Sequence, residues 1–311
     1  MSGKQPDLRI KIGNLVFRNP VILASGVLSN TAGIIKRVVS EGNVGGVTFK
    51  TITLNPREGY KNPVIAVTKA GLVNAMGLPN PGLNEAVKEI VNVKSFLPSE
   101  VPLIVSFASS DPKEAGKITH KLEDAGVDAV EFNLSCPHTR KLGLTVSQDM
   151  KLVESIIEHV KTTIKIPLFV KLGLQDNIIE IAKLLEKYDV DCIVAINTIR
   201  SVVIDIYARK PVLSNVYGGL SGVAIHPIAV RVIYDLYKNV NIPIIGVGGV
   251  EDWIDAIEMM LAGACAVEVG TAVYSKGISI FKEVIDGVSK YLESEGFSSI
   301  TDIIGLAHTT T

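Results

Sequence analysis

The chain has 311 residues, 47% of them hydrophobic and 20% charged, with 31 Lys and Arg set against 32 Asp and Glu. That composition excludes intrinsic disorder and supplies enough apolar surface for a large core. A formal net charge of −1 lacks the cationic excess with which a general nucleic-acid binder neutralises phosphates. No apolar run approaches the ~20 residues of a membrane-spanning helix, and the polar start MSGKQPDLRIK has no signal-peptide core. The three cysteines, Cys136, Cys192 and Cys265, are too few and too far apart for a disulfide framework, a zinc site or an iron–sulfur cluster held by this chain alone. A reducing, cytoplasmic setting and a chain without a metal of its own are therefore expected.

In chain order, residues 9–18 (RIKIGNLVFR) read as a hairpin turning at Gly13 and Asn14, placed to close the floor of a barrel. Eight short Val/Ile/Leu-rich runs follow, at 21–26, 45–51, 102–109, 129–135, 167–173, 192–198, 243–249 and 266–273. They show little strict alternation, which marks parallel strands buried on both faces. Amphipathic segments lie between them, among them 83–96, 112–126 and 176–188. Asp111 before Pro112 is a helix start, and Gly126 is a stop. Alternating β and α units imply right-handed crossovers and a parallel sheet. Eight of them predict an α/β fold, a (β/α)8 TIM barrel, with a doubly wound open sheet as the competing architecture. Residues 199–221 form a long insertion after the sixth strand, expected to cap the barrel mouth. The whole of 1–311 reads as a single domain.

Polar residues recur at the C-terminal ends of the strands, where barrel enzymes build their sites. Lys50 ends strand two, Asn133 and Cys136 end strand four, Lys171 lies in strand five, and Asn197 with Thr198 ends strand six. Gly248, Gly249, Gly270 and Thr271 close the last two strands, and GGLSG at 218–222 adds further glycines. Backbone N–H groups at such places can cradle a phosphate. Cys136, in a polar loop just past its strand, is a candidate base or nucleophile, whereas Cys192 and Cys265 sit in apolar runs as small core residues. His120 and His159 are expected to be solvated, His226 to pack, and Trp253 to lie at the surface or in packing. His138 either tunes Cys136 or faces solvent, and His308 belongs to the tail. There is no Ser–His–Asp arrangement and no HExxH.

An ordered set of segments resembles the dihydroorotate dehydrogenases, flavin enzymes of pyrimidine synthesis. They are TFKT at 48–51, NAMGLPNPG at 74–82, EFNLSCP at 131–137, NT at 197–198, RKPVLSN at 209–215, GGLSG at 218–222, PIIGVGGV at 243–250 and VGTA at 269–272. The tail segment DIIGLA at 302–307 is also similar to the family. The resemblance implies one FMN per chain, contacted by Ser25, Lys50, Thr51, Asn133, Lys171, Ile196, Gly222, Gly248, Gly249, Gly270 and Thr271. It implies a dihydroorotate or orotate site formed by Lys50, Asn74, Ala75, Met76, Gly77, Leu78, Asn133, Asn197 and Thr198. Cys136 would take the C5 proton while hydride leaves C6 for N5 of FMN, and Lys171 would face negative charge on the flavin. The stretch 209–222 most resembles class 1B, which implies a homodimer and a partner subunit carrying FAD and a [2Fe-2S] cluster. SCPH at 135–138 is instead similar to dihydropyrimidine dehydrogenase, so reduction of uracil or thymine is the alternative. Lys50 favours dihydroorotate, because a substrate carboxylate calls for a cation. A flavin-binding scaffold without turnover is a further alternative, against which the Lys50, Asn133 and Cys136 set argues.

Overall fold

In the computed structural model, which describes residues 5–134 and 147–309, the apolar runs close on themselves into a barrel. The chain enters through an antiparallel hairpin of β1 (Ile10–Ile12) and β2 (Leu15–Phe17), turning at Gly13 with φ +58°. Phe17 is fully buried, and a Cβ on Gly46 would lie 2.8 Å from its ring, so the hairpin plugs the floor tightly. The first barrel strand is β3 (Val21–Leu23), followed by α1 (Ala32–Gly42) and β4 (Gly46–Ile52). A second hairpin, β5 (Ile65–Thr68) and β6 (Gly71–Asn74), then leaves the barrel before α2 (Leu83–Lys94). The regular alternation resumes with β7 (Leu103–Phe107), α3 (Pro112–Asp124), β8 (Ala129–Asn133), α4 (Met150–Thr163), β9 (Leu168–Leu172), α5 (Ile178–Lys187) and β10 (Cys192–Ala195).

After β10 come β11 (Ile199–Val202), the short pair β12 (Ile204–Asp205) and β13 (Lys210–Pro211), and β14 (Tyr217–Ser221). The chain finishes with α6 (His226–Asn239), β15 (Ile244–Val247), α7 (Trp253–Leu261), β16 (Ala266–Val269), α8 (Ala272–Lys276) and α9 (Ser279–Glu295). The closed barrel runs β3-β4-β7-β8-β9-β10-β15-β16, with β16 pairing back to β3 and every pair parallel. These are the eight apolar runs of the sequence. Asp111 caps α3 by accepting from the Glu114 N–H at 2.8 Å, and Gly126, at φ +78°, follows its end.

The cap differs from the sequence expectation. It is a four-stranded antiparallel sheet ordered β11-β14-β6-β5, so half of it comes from residues 65–74 rather than from the insertion after the sixth barrel strand. The two insertions meet where Gly218 packs on Val73; a Cβ there would lie 2.6 Å from the valine. One histidine also differs from expectation. His159 is half-buried against Gly116, where a Cβ would come 2.6 Å from its ring. His308 stacks on Tyr234 with ring centroids 3.9 Å apart. Trp253 packs over Gly287 and beside Tyr291. Among the described residues no helix is long and apolar enough to cross a membrane.

Strand residues alternate between barrel interior and helix layer. Phe107 and Phe132 are register partners stacked at 5.1 Å on the helix side, whereas Ser106 and Glu131, also partners, point inward. Truncating such a fully buried aromatic loses its transfer free energy and leaves a cavity. Phe107→Ala is expected to cost about 3–5 kcal/mol in urea denaturation, with β7 the site of loosened packing.

Candidate active site

A cavity of about 590 Å³ lies at the C-terminal ends of the barrel strands, between the mouth and the cap sheet. That volume falls within the ~300–1,000 Å³ of small-molecule sites. Its lining unites residues far apart in sequence: Ser25, Lys50, Thr51, Asn133, Lys171 and Ile196 from the barrel, Gly222, Gly248, Gly249, Gly270 and Thr271 from one side, and Asn74, Met76, Gly77, Leu78, Asn197 and Thr198 from the cap side. Ala75 is not among them. At 1% exposure it packs with Ala66, Val73 and Leu213 inside the cap, because its neighbours in β6 alternate faces. Cys136 and His138 lie outside the described residues.

The polar wall is built by short cross-strand links. The Ser25 hydroxyl donates to the Phe49 carbonyl at 3.1 Å and lies 3.4 Å from Thr51 Oγ1. Thr51 Oγ1 meets Ser106 Oγ at 2.9 Å and accepts from Asn133 Nδ2 at 3.2 Å. Ile196 and Asn197 are fixed at the rim by their N–H groups, which donate to Val247 O and Leu172 O at 2.8 and 2.9 Å. In the 74–82 loop, Asn80 uses both ends of its amide. Its Nδ2 donates to Leu78 O (2.9 Å) and Thr53 Oγ1 (3.0 Å), and its Oδ1 accepts from the Gly82 N–H (2.9 Å). Asn80 therefore sets the path of Gly77 and Leu78, a role its place in the NAMGLPNPG motif does not reveal.

The glycine side has the form of a phosphate cradle. Gly248 and Gly249 have φ of +127° and +76°, open to glycine and strained for other residues. A Cβ on Gly249 would lie 2.8 Å from His226 Cβ and 2.9 Å from Gly222 O, so two loops converge there. His226, expected only to pack, joins them: its ring lies 3.2 Å from Gly248 O through Nδ1 and 3.0 Å from Glu258 Oε2 through Nε2. Gly26, which also lines the cavity, has φ +91° and open space where a Cβ would stand.

The floor is ionic. Lys171 Nζ donates to Glu268 Oε2 at 2.5 Å, both side chains almost fully buried, and Thr48 Oγ1 donates to Glu268 Oε1 at 2.7 Å. One layer below, Glu131 is fully buried and neither of its carboxylate oxygens has a hydrogen-bond partner among the described residues. Burial pushes the Glu131 carboxyl up to about 7; the Lys171 charge opposes the rise and the Glu268 charge adds to it. Burial works against the Lys171 ammonium, but the charges of Glu268 and Glu131 and the bond to Glu268 outweigh it and hold its pKa above the ordinary value. Neither carboxylate is singled out by the sequence reading. The signal was there: AVEV and AVEF each place one charge inside an otherwise apolar strand, as LFVKL does.

A parallel barrel with a buried lysine, an amide-rich mouth and a glycine cradle has the form of a small-molecule site at the C-terminal face of a (β/α)8 barrel. The chain belongs to the dihydroorotate dehydrogenase family, whose sequence profile matches residues 7–292. It is 47% identical to the Pyrococcus furiosus protein named dihydroorotate dehydrogenase B (NAD(+)), catalytic subunit, over 97% of this chain and 99% of that one. It is 45% identical to the Methanocaldococcus jannaschii protein of the same name, over 97% and 98%. Among solved structures, it is similar to dihydroorotate dehydrogenase from Eimeria tenella, crystallised in complex with ferulenol. That match has a TM-score of 0.85 and 25% identity, and it covers 99% of this chain and 90% of that one.

The raised Glu131 carboxyl makes stability depend on pH. A carboxyl whose folded pKa of about 7 exceeds its ordinary 4.5 binds more protons folded than unfolded across that window, so its contribution is full below pH 4.5 and is lost as pH rises through 7. Urea denaturation from pH 4.5 to 8 should show this decline in the unsubstituted protein and a flatter profile in Glu131→Gln.

Proposed function

We propose that this chain oxidises (S)-dihydroorotate to orotate in pyrimidine synthesis, with one FMN held across the barrel mouth. The observation that carries the reading is the single cavity in which Lys50, Asn74, Asn133 and Asn197 face the glycine cradle of Gly248 and Gly249. FMN fits what the chain offers there. The glycines leave room for a phosphate against backbone N–H groups, and the floor places the Lys171 ammonium under the cavity. Ser25, Thr51, Ile196, Gly222, Gly270 and Thr271 complete the cofactor side, and the chemistry FMN supplies is acceptance of hydride at N5.

The chain's own residues bind and orient the substrate. Lys50 meets the carboxylate of dihydroorotate with a charge-assisted bond. Asn74, Asn133 and Asn197 match the donors and acceptors around its planar ring, since each amide offers both. Met76, Gly77, Leu78 and Thr198 close the pocket from above. Cys136 is the base that removes the C5 proton, three residues beyond Asn133 at the end of β8. Such a thiol stays reduced in the cytoplasm, which is the compartment this reading requires. A partner subunit carrying FAD and a [2Fe-2S] cluster would supply the route by which the electrons leave, and the chain itself would be a homodimer. The relatives named as catalytic subunits of NAD(+) enzymes support a partner subunit.

Cys136→Ala is expected to keep its FMN and to slow reduction of the flavin by dihydroorotate at least 100-fold or so, the size of general-base effects. Stopped-flow absorbance under anaerobic conditions reads the rate. An unchanged rate would remove Cys136 from the mechanism.

A further inference from the structure

The reading above uses Lys171 but gives Glu131 no work, and a fully buried carboxyl without hydrogen bonds is costly to keep. Its surroundings suggest what the side chain does. On the adjacent strands, β9 presents Lys171, β7 presents Ser106 and, across the barrel, β16 presents Glu268. From β10 comes only the Cys192 thiol, which burial pushes far up and keeps neutral; β3 and β15 carry no titratable side chain, and on β4 Thr48 bonds Glu268 while Lys50 lies in the cavity wall above. With Glu131, Glu268 and Lys171 all ionised, these three groups together hold a net charge of −1. One proton on Glu131 brings it to zero. Any anion pressed on Lys171 from the cavity side competes with Glu131 for the same ammonium, and so favours that proton. Ser106, the register partner of Glu131, also meets Thr51, which approaches Ser25 on the cavity wall. A line of hydroxyls thus leads from Glu131 to the site.

We propose that Glu131 is a proton store beneath the flavin, taking up one proton from solvent when a flavin bound over Lys171 is reduced and releasing it on reoxidation. The proposal rests on the FMN reading of the cavity. The reductant, dihydroorotate in the reaction, delivers two electrons and one proton to the flavin and leaves it with one negative charge. A second proton, from solvent, converts the Glu131 carboxylate to the acid, so flavin and floor together gain no net charge. Glu131 acts through Lys171 and touches neither substrate nor cofactor, which makes it a positioning residue for charge.

The test uses FMN-loaded protein reduced by dithionite, without substrate. Below pH about 7, where Glu131 is already protonated, reduction takes up no extra proton. Above it, the midpoint potential should fall more steeply with pH by about 30 mV per unit, the equivalent of one tenfold step per proton for a two-electron couple. Glu131→Gln should lose that extra slope. Reduced-minus-oxidised infrared spectra at pH 8 provide a second reading on the unsubstituted protein: a carboxylic-acid C=O band should appear on reduction, shift in D2O, and be absent in Glu131→Gln. Equal slopes in the two proteins, or no such band in the unsubstituted protein, would overturn the proton store and leave the FMN reading standing. Failure of the purified protein to take up FMN would overturn both.

Discussion

The ion pair between Lys171 and Glu268 is the constraint around which this barrel is arranged. A lysine almost fully buried inside a closed parallel barrel loses most of its hydration, and an unpaired buried charge costs several kcal/mol. Glu268 meets it from the far side of the closure, on the strand that pairs back to β3, so the charge is balanced only when the barrel is complete. Thr48 then fixes the second oxygen of Glu268. Because side chains alternate along each strand, placing Lys171 inward also places Phe169 at the same face and commits Leu168, Val170 and Leu172 to the helix layer. One ionic contact therefore couples register, closure and the charge of the cavity floor.

Above that floor the work is divided by residue type. Glycines at 248 and 249 let backbone approach a ligand closely, and the His226 bridge between Gly248 and Glu258 holds their loop in place. Asparagines line the mouth with neutral donors and acceptors, and Lys50 places a local cation in the cavity wall of a protein whose net charge is near zero. The cap sheet joins residues 71–74 to 217–221, so the lid over the site is held by two insertions at once.

Much of this was legible in the sequence because it is local. Short Val/Ile/Leu-rich runs located the eight strands, and Asp111-Pro112 marked a helix start that the cap geometry bears out. What stayed hidden depends on pairing across long separations. Residues 65–74 carry weak alternation and become cap strands only by finding β14. Glu131 and Glu268 read as interruptions of apolar runs until the fold brings them to Lys171. Ala75 sits within a motif whose neighbours face the cavity, yet strand alternation turns it into the cap. Asn80 acts through loop geometry that no periodicity encodes.

The account's central claim is that this cavity joins a flavin to dihydroorotate. Anaerobic mixing of the FMN-loaded protein with dihydroorotate, and separately with dihydrouracil, tests it by the loss of flavin absorbance. Bleaching by dihydroorotate is expected, with little or none by dihydrouracil, whose ring offers no carboxylate to Lys50. Bleaching by dihydrouracil alone, or by neither, would contradict it.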